Sequence, residues 1–169
     1  VSPMSTTPHL RRAGADDAAE LTRLRLIMLA SLGDIPEDGW ASECEAAFRE
    51  RLDTDPCFVA YVVDAGDRLL SSTVGQYMPL LPRPGRTPYV GHIASVATDP
   101  AHRRQGHARR TFEAVHDHLV GAGCTRINLT ATPEAEALYR SLGYEDPSGP
   151  TPLTWNAGRP PGTSGGTAR

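Results

Sequence analysis

Apolar positions along the chain recur in two rhythms, and the switch between them separates helices from strands. "DDAAELTRLRLIMLASLG" sets Leu21, Leu24, Met28 and Leu32 on one helical face, opens with an Asp17…Glu20 pair at capping-box spacing, and stops at Gly33. A second helix is predicted with Pro36, Glu37 and Asp38 in its first turn and Trp40, Cys44, Ala47 and Phe48 at helical spacing, ending before Asp55-Pro56. The rhythm then changes. "CFVAYVV" and "RLLSSTVGQYM" are strand-like runs joined by "DAGD", a hairpin signal, and Gly75 in the second run marks a bulge. "PLLPRPGRTP" reads as a proline-rich loop, and "YVGHIASVAT", residues 89–98, as a third long strand. Helical spacing returns from Arg103 to Ala122, where Ala108, Phe112, Val115, Leu119 and Ala122 form one face. "RINLTA" is a strand, "PEAEALYRSLG" a short helix with Pro133 at its start and Gly143 as its stop, and "PLTWN" a last strand. A short strand is also expected between His9 and Ala13.

The predicted order is β-α-α-β-β-β-α-β-α-β, with no internal repeat. Three consecutive strands imply an antiparallel meander, and the later β-α-β implies a parallel pair. The fold class is therefore mixed α/β rather than doubly wound. One domain is expected over residues 10–156, between a flexible start at residues 1–9 and a disordered tail at 157–169, "AGRPPGTSGGTAR". A chain of 169 residues can bury one core.

Charge sharpens one part of this picture. The formal net charge is −3, which argues against bulk affinity for nucleic acid and makes a local basic cluster more telling. All 17 basic residues are arginine. Four of them, Arg103, Arg104, Arg109 and Arg110, are expected in the first two turns of the third helix, where carboxylates are normally preferred. Each misplaced cation costs ~0.3–1 kcal/mol, and Gly106 within that helix costs about 1 kcal/mol against alanine. A helix start that accepts both penalties can present bare amides and guanidinium groups to an anion. A solvated arginine-rich face is the alternative. A nucleic-acid surface is disfavoured because no aromatic residues are interleaved.

Other chemistry finds little support. Three cysteines without a CxxC pair do not suggest a zinc site or a disulfide framework and fit a reducing cytoplasm. No apolar run reaches membrane-spanning length and no signal-peptide pattern appears, so a cytoplasmic protein without membrane association is expected. His116 and His118 point in different directions on a helix and lack further ligands, so no metal is expected. Cys124 follows a helix, which does not favour a reactive thiolate. Neither G-x-S-x-G nor GxxxxGK[ST] occurs.

"RRQGHA", Arg103 to Ala108, fits the Q/R-x-x-G-x-G/A signature of the GNAT acetyltransferase superfamily, with a strand, "HIASVAT", before it and an amphipathic helix after it. "ATPEAEALYRSLGYE" resembles the family's second signature. The resemblance covers about residues 10–156 in element order and 93–145 in sequence pattern. It implies a mixed, mostly antiparallel sheet with two splayed parallel strands, flanked by helices. It also implies an N-acetyltransferase that moves an acetyl group from acetyl-CoA to a primary amine, by direct attack with both substrates bound and without a metal. A small-molecule amine is the expected partner. A protein amino group, or a catalytically idle acyl-CoA-binding module on the same fold, are the alternatives. A homodimer, common among relatives, stays open.

Residue by residue, the resemblance assigns the coenzyme's pyrophosphate to the loop Arg103, Arg104, Gln105, Gly106, His107 and Ala108, with Arg109 beside it. It assigns the pantetheine arm to the strand edge Val96, Ala97 and Thr98. Tyr139, four residues before Gly143, matches the tyrosine that in many members protonates the departing thiolate. Thr132 stands where many relatives carry Asn at a coenzyme contact. His92 occupies the place of the general base used by one branch of the family, and its strand parity is shared with Ala94 and Val96 rather than Ser95. The amine pocket is expected near Ile35–Glu43 and Tyr77–Tyr89, with Glu37, Trp40, Tyr77 and Tyr89 as its binding residues.

Overall fold

Three long strands, two of them buried almost continuously because helices cover both faces, build the sheet that organises the larger of two compact units, Val1–Thr130 and Ala131–Arg169. The computed structural model describes residues 7–157. The expected loose ends fall largely outside the described residues, and His9 opens the first strand instead. In the larger unit β1 (His9–Arg12), β2 (Phe58–Asp64), β3 (Leu69–Pro79), β4 (Tyr89–Thr98) and β5 (Arg126–Leu129) lie side by side in chain order. The first four are antiparallel to their neighbours, whereas β5 runs parallel to β4. The expected meander and parallel pair are both present.

Helices α1 (Ala18–Ser31) and α2 (Trp40–Thr54) cover one face, where Leu21, Leu24 and Phe48 cluster with Phe58, Ala60, Val62, Leu69, Val74 and Ala97. Helix α3 (His107–Gly121) covers the other with buried Phe112, Val115 and Leu119. Each such side chain contributes about 1.5–3 kcal/mol by leaving water. Gly75 is needed for this packing. A Cβ there would stand 2.4 Å from the Val115 side chain, so glycine lets α3 close onto β3. Buried Thr73 and Thr111 join β3 to α3 through their hydroxyls at 2.9 Å.

Several expected boundaries move. Asp17 makes half of a capping box with Gly14, whose amide donates to the Asp17 carboxylate at 2.8 Å while the Gly14 carbonyl accepts from the Asp17 amide. Glu20 turns instead to Arg23 and the Leu69 amide. Leu32 is half exposed, since α1 ends at Ser31 and the apolar stripe runs out with it. Gly39 takes a left-handed conformation at φ +88°, so α2 starts at Trp40 and Pro36–Asp38 lie in the turn before it. Helix α3 likewise starts at His107 rather than Arg103, after a 3-10 turn at Pro100–His102. The expected last strand, "PLTWN", does not form. Residues 151–156 carry no ladder hydrogen bonds, and Leu153 and Trp155 are 91% and 83% exposed.

The smaller unit contains α4 (Pro133–Ser141), with Pro133 in its first turn and Thr132 as its N-cap residue. Arg140 bridges Glu136 and Asp146. Among the described residues no helix is long and apolar enough to cross a membrane.

Candidate active site

The loop that carries "RRQGHA" is built by backbone geometry more than by side chains. Arg104 takes φ +62° and Gly106 takes φ +81°, and α3 begins on the next residue with no side chain capping its first amides. Left-handed residues just before an uncapped helix start aim consecutive N–H groups into one concavity, where the helix dipole favours negative charge. Gly106 therefore sits where glycine is the favoured residue and incurs no helix-interior penalty. Arg103 and Arg104 lie in the loop rather than in the first turns. A Cβ on Gly106 would meet no atom within 4 Å, so the backbone there is open to a ligand.

A buried carboxylate anchors the entry to this loop. Asp99 caps the 3-10 turn through the Ala101 amide at 3.1 Å and accepts from Arg23 of α1 at 2.9 Å. Arg23 also binds Glu20 and the Leu69 carbonyl, which links α1, the start of β3 and the end of β4. Burial pushes the Asp99 carboxyl up, but the Ala101 amide and the Arg23 guanidinium outweigh it and hold the carboxyl below its ordinary value. His107, the first residue of α3, is 8% exposed, and neither ring nitrogen has a hydrogen-bond partner. Burial pulls its pKa down, helped by Arg110 and His102. The ring is consequently neutral at pH 7 and adds packing rather than charge.

The second feature is the parting of the two parallel strands. β5 pairs with Val90–Ile93 of β4 and goes no further, while β4 continues to Thr98 against β3. Val74 opposes Ser95 and Gly75 opposes Ile93, so Ala94 is an extra residue on β4. The bulge expected at Gly75 is real, and the strand that bulges is β4. Beyond it, the edge Ala94–Thr98 has no β5 neighbour.

The bulge also reverses which face each residue meets. Gln76 accepts from Arg51 of α2 and pairs with His92, placing His92 on the α1/α2 face. Ser95 pairs with core residue Val74, and Ala97 is itself in that core, so both share the face of His92. Gly91 looks toward Leu119 of α3, and Thr73, which holds Thr111, pairs with Val96. The expected parity of His92 with Val96 is overturned. An added residue shifts the two-residue alternation by one step.

The substrate-binding candidates separate in the same way. Tyr77 pairs with Gly91 and packs edge-on against Tyr89 at 5.7 Å, which puts both rings on the α3 side, opposite His92. Glu37 is exposed in the turn before α2, and Trp40 is half-buried at that helix's start. In the smaller unit Tyr139 is buried, and burial raises its phenol pKa above the ordinary value. Thr132 offers its carbonyl to the Ala135 and Glu136 amides. Sequence reading missed Asp99 and Arg23. The Asp99-Pro100 dipeptide was the available signal for a capped turn, whereas nothing local tied it to Arg23, 76 positions away.

Comparison with known proteins agrees with this architecture. The acetyltransferase (GNAT) family model matches residues 26–144. A predicted acetyltransferase from Clostridium acetobutylicum, solved with acetyl-CoA, superimposes with a TM-score of 0.75 at 19% identity over 88% of this chain and 96% of that one. Glucosamine-6-phosphate N-acetyltransferase from Arabidopsis thaliana gives 0.66 at 18% identity, over 89% and 99% of the two chains. In sequence, a 55-residue stretch is 33% identical to glucosamine 6-phosphate N-acetyltransferase 1 of Oryza sativa subsp. japonica; it spans 32% of this chain and 33% of the rice protein. A five-stranded mixed sheet with a parallel β4–β5 pair and a signature loop entering α3 thus coincides with a family match over most of the chain, and the protein is a member of the acetyltransferase (GNAT) family.

Proposed function

We propose that the protein is an acetyl-CoA-dependent N-acetyltransferase acting on a primary amine of a small molecule, by direct attack within a ternary complex. The observation that carries this reading is the adjacency of the uncapped start of α3 to a β4 edge that has lost its β5 neighbour. Acetyl-CoA supplies an acyl group already activated as a thioester. The residues fit it: the Arg103–Ala108 loop offers amides and open space to a pyrophosphate, with Arg104 and Arg109 adding charge. The unpaired Val96–Thr98 edge offers backbone groups to an amide-bearing arm. Amides freed by the bulge at Ala94 are suited to hold an oxyanion.

His92 is the proposed group that takes a proton from the amine, directly or through water, and Tyr139 the one that gives a proton to the departing thiolate. A phenol whose pKa is raised by burial stays protonated at neutral pH and remains a donor. The test is thiol release from acetyl-CoA across a panel of amines, run beside calorimetric titration with CoA. Turnover with at least one amine is expected, and Tyr139→Phe is expected to lower kcat by about 10²-fold with little change in CoA affinity. Tight CoA binding with no turnover across the panel would identify an idle binding module instead.

A further inference from the structure

Seven of the fifteen described arginines face a carboxylate, and six of the other eight gather in two places. Arg11, Arg23, Arg49, Arg51, Arg68, Arg109 and Arg140 each face an acidic side chain. Apart from Arg12 and Arg25, the described arginines without such a partner stand in two places. Arg103, Arg104 and Arg110 surround the start of α3. Arg83, Arg86 and Arg126 line a cavity of about 70 Å³ at the opposite end of β4, together with Thr87, Val90 and Thr125.

The second group is assembled deliberately by the chain. In "RPGR" a tight turn, with Gly85 at φ +72°, closes as the Arg86 amide donates to the Arg83 carbonyl at 3.2 Å. That bridge sets two guanidinium-bearing residues across from each other, an arrangement that like charges oppose. The loop is tied down at its base, where the Leu80 amide donates to the Pro88 carbonyl at 2.6 Å, and by Thr87, whose hydroxyl donates to the Gly123 carbonyl. Arg126 arrives from β5, paired with Val90 of β4. Ile127 meets the α3 side, so Arg126 faces the other way, on the same side of the sheet as His92.

The order of features along β4 decides what the cavity serves. The α3 loop follows Thr98, the bulge sits at Ala94, and the cavity lies at Val90. At about 3.3 Å per residue, the bulge is ~13 Å from Val90 and ~13 Å from Thr98. A coenzyme held by its phosphates at the α3 loop, with its arm on the Val96–Thr98 edge, ends near the bulge and leaves the cavity on the acceptor's side. A cavity of this size lined by three guanidinium groups suits a compact charged group rather than a whole substrate. Resting on the proposed acetyltransferase activity, we infer that Arg83, Arg86 and Arg126 seat an anionic group of the acceptor, which is therefore a small amine bearing a phosphate or carboxylate. Guanidinium forks match both anions in a bidentate manner.

The experiment compares matched amines that differ only in the anion: glucosamine 6-phosphate with glucosamine, and 6-aminohexanoate with its amide. Wild-type kcat/KM is expected to favour at least one anionic member by about tenfold or more, through KM, the scale of one charge-assisted contact. In Arg126→Gln and in Arg83→Gln/Arg86→Gln that ratio is expected to fall toward one, while the melting temperature and the CoA dissociation constant stay within about twofold equivalents of wild type. Activity without preference in either pair, or a preference that survives all three replacements, overturns the inference and leaves the acetyltransferase reading intact. Should no amine turn over, titrating CoA-saturated protein with glucosamine 6-phosphate still reads the site: shifts of the Thr125 and Arg126 amides, lost in Arg126→Gln, support it, and their absence overturns it. Inorganic phosphate separates the two sources of the anion. Competition with the phosphorylated amine supports an acceptor subsite, whereas binding without competition marks a free-anion site and overturns the inference.

Discussion

Two arginine-rich loops bracket β4, and they put the same side chain to different physical use. The loop after the strand, Asp99–Gly106, hands its charge to a helix start, where backbone amides and the macrodipole already favour an anion and the arginines only reinforce them. The loop before it, Leu80–Pro88, precedes a strand, which has no useful dipole. Any anion affinity there must come from guanidinium groups alone. Their anchors differ accordingly. A buried carboxylate tied to α1 holds the first loop, and a hydroxyl–carbonyl contact to the α3–β5 turn holds the second. Substitutions of backbone character should disable the first loop, and substitutions of charge the second.

The largest expected effect attacks the backbone. Gly106→Glu imposes a side chain on φ +81°, at a strain of ~1–2 kcal/mol, and sets a carboxylate against the uncapped amides. CoA affinity should fall by at least about 10²-fold by calorimetry, with the fold retained by circular dichroism because the added Cβ meets open space. Unchanged affinity would remove the contrast between the loops. Next comes the anchor. Asp99→Asn leaves the Ala101 contact possible but weakens the bond to Arg23, costing about 1.5–3 kcal/mol of stability in denaturant titration. If the anchor positions the loop, CoA affinity should drop several-fold while kcat at saturation holds; a purely structural role would leave affinity untouched.

The smallest effect is titrational. His107 is held below the ordinary histidine value of 6.5 by burial, so on acidification the unfolded chain takes up its proton first. Stability contributed by the neutral ring is complete above pH 6.5 and declines as pH falls below it toward the lowered folded-state value. Replacing His107 with Phe should flatten that segment of the stability–pH curve. A wild-type curve that is already flat there would contradict the buried, unpartnered imidazole.

Legibility in the sequence followed the range of the interactions. Helix faces and strand runs were readable because their periodicity is local, as with Phe112, Val115 and Leu119. The arginine cluster and Gly106 were visible as a local pattern for the same reason. Its physical basis needed the fold, since the helix starts at His107 and Gly106 is favoured by a left-handed turn rather than tolerated within a helix. "PLTWN" shows the converse: a suitable alternation does not by itself supply the backbone partners that make a strand.

By itself, the sequence determined the mixed architecture, the order of its described elements through α4 and the loop that marks the family, because each is encoded in neighbouring residues. Tertiary structure alone decided the rest. One extra residue at Ala94 turned His92 toward Ser95 and away from Val96, and long-range pairing brought Arg23 to Asp99 and Arg126 to Val90. Such placements depend on strand register and on contacts between residues far apart in the chain, which no local pattern specifies.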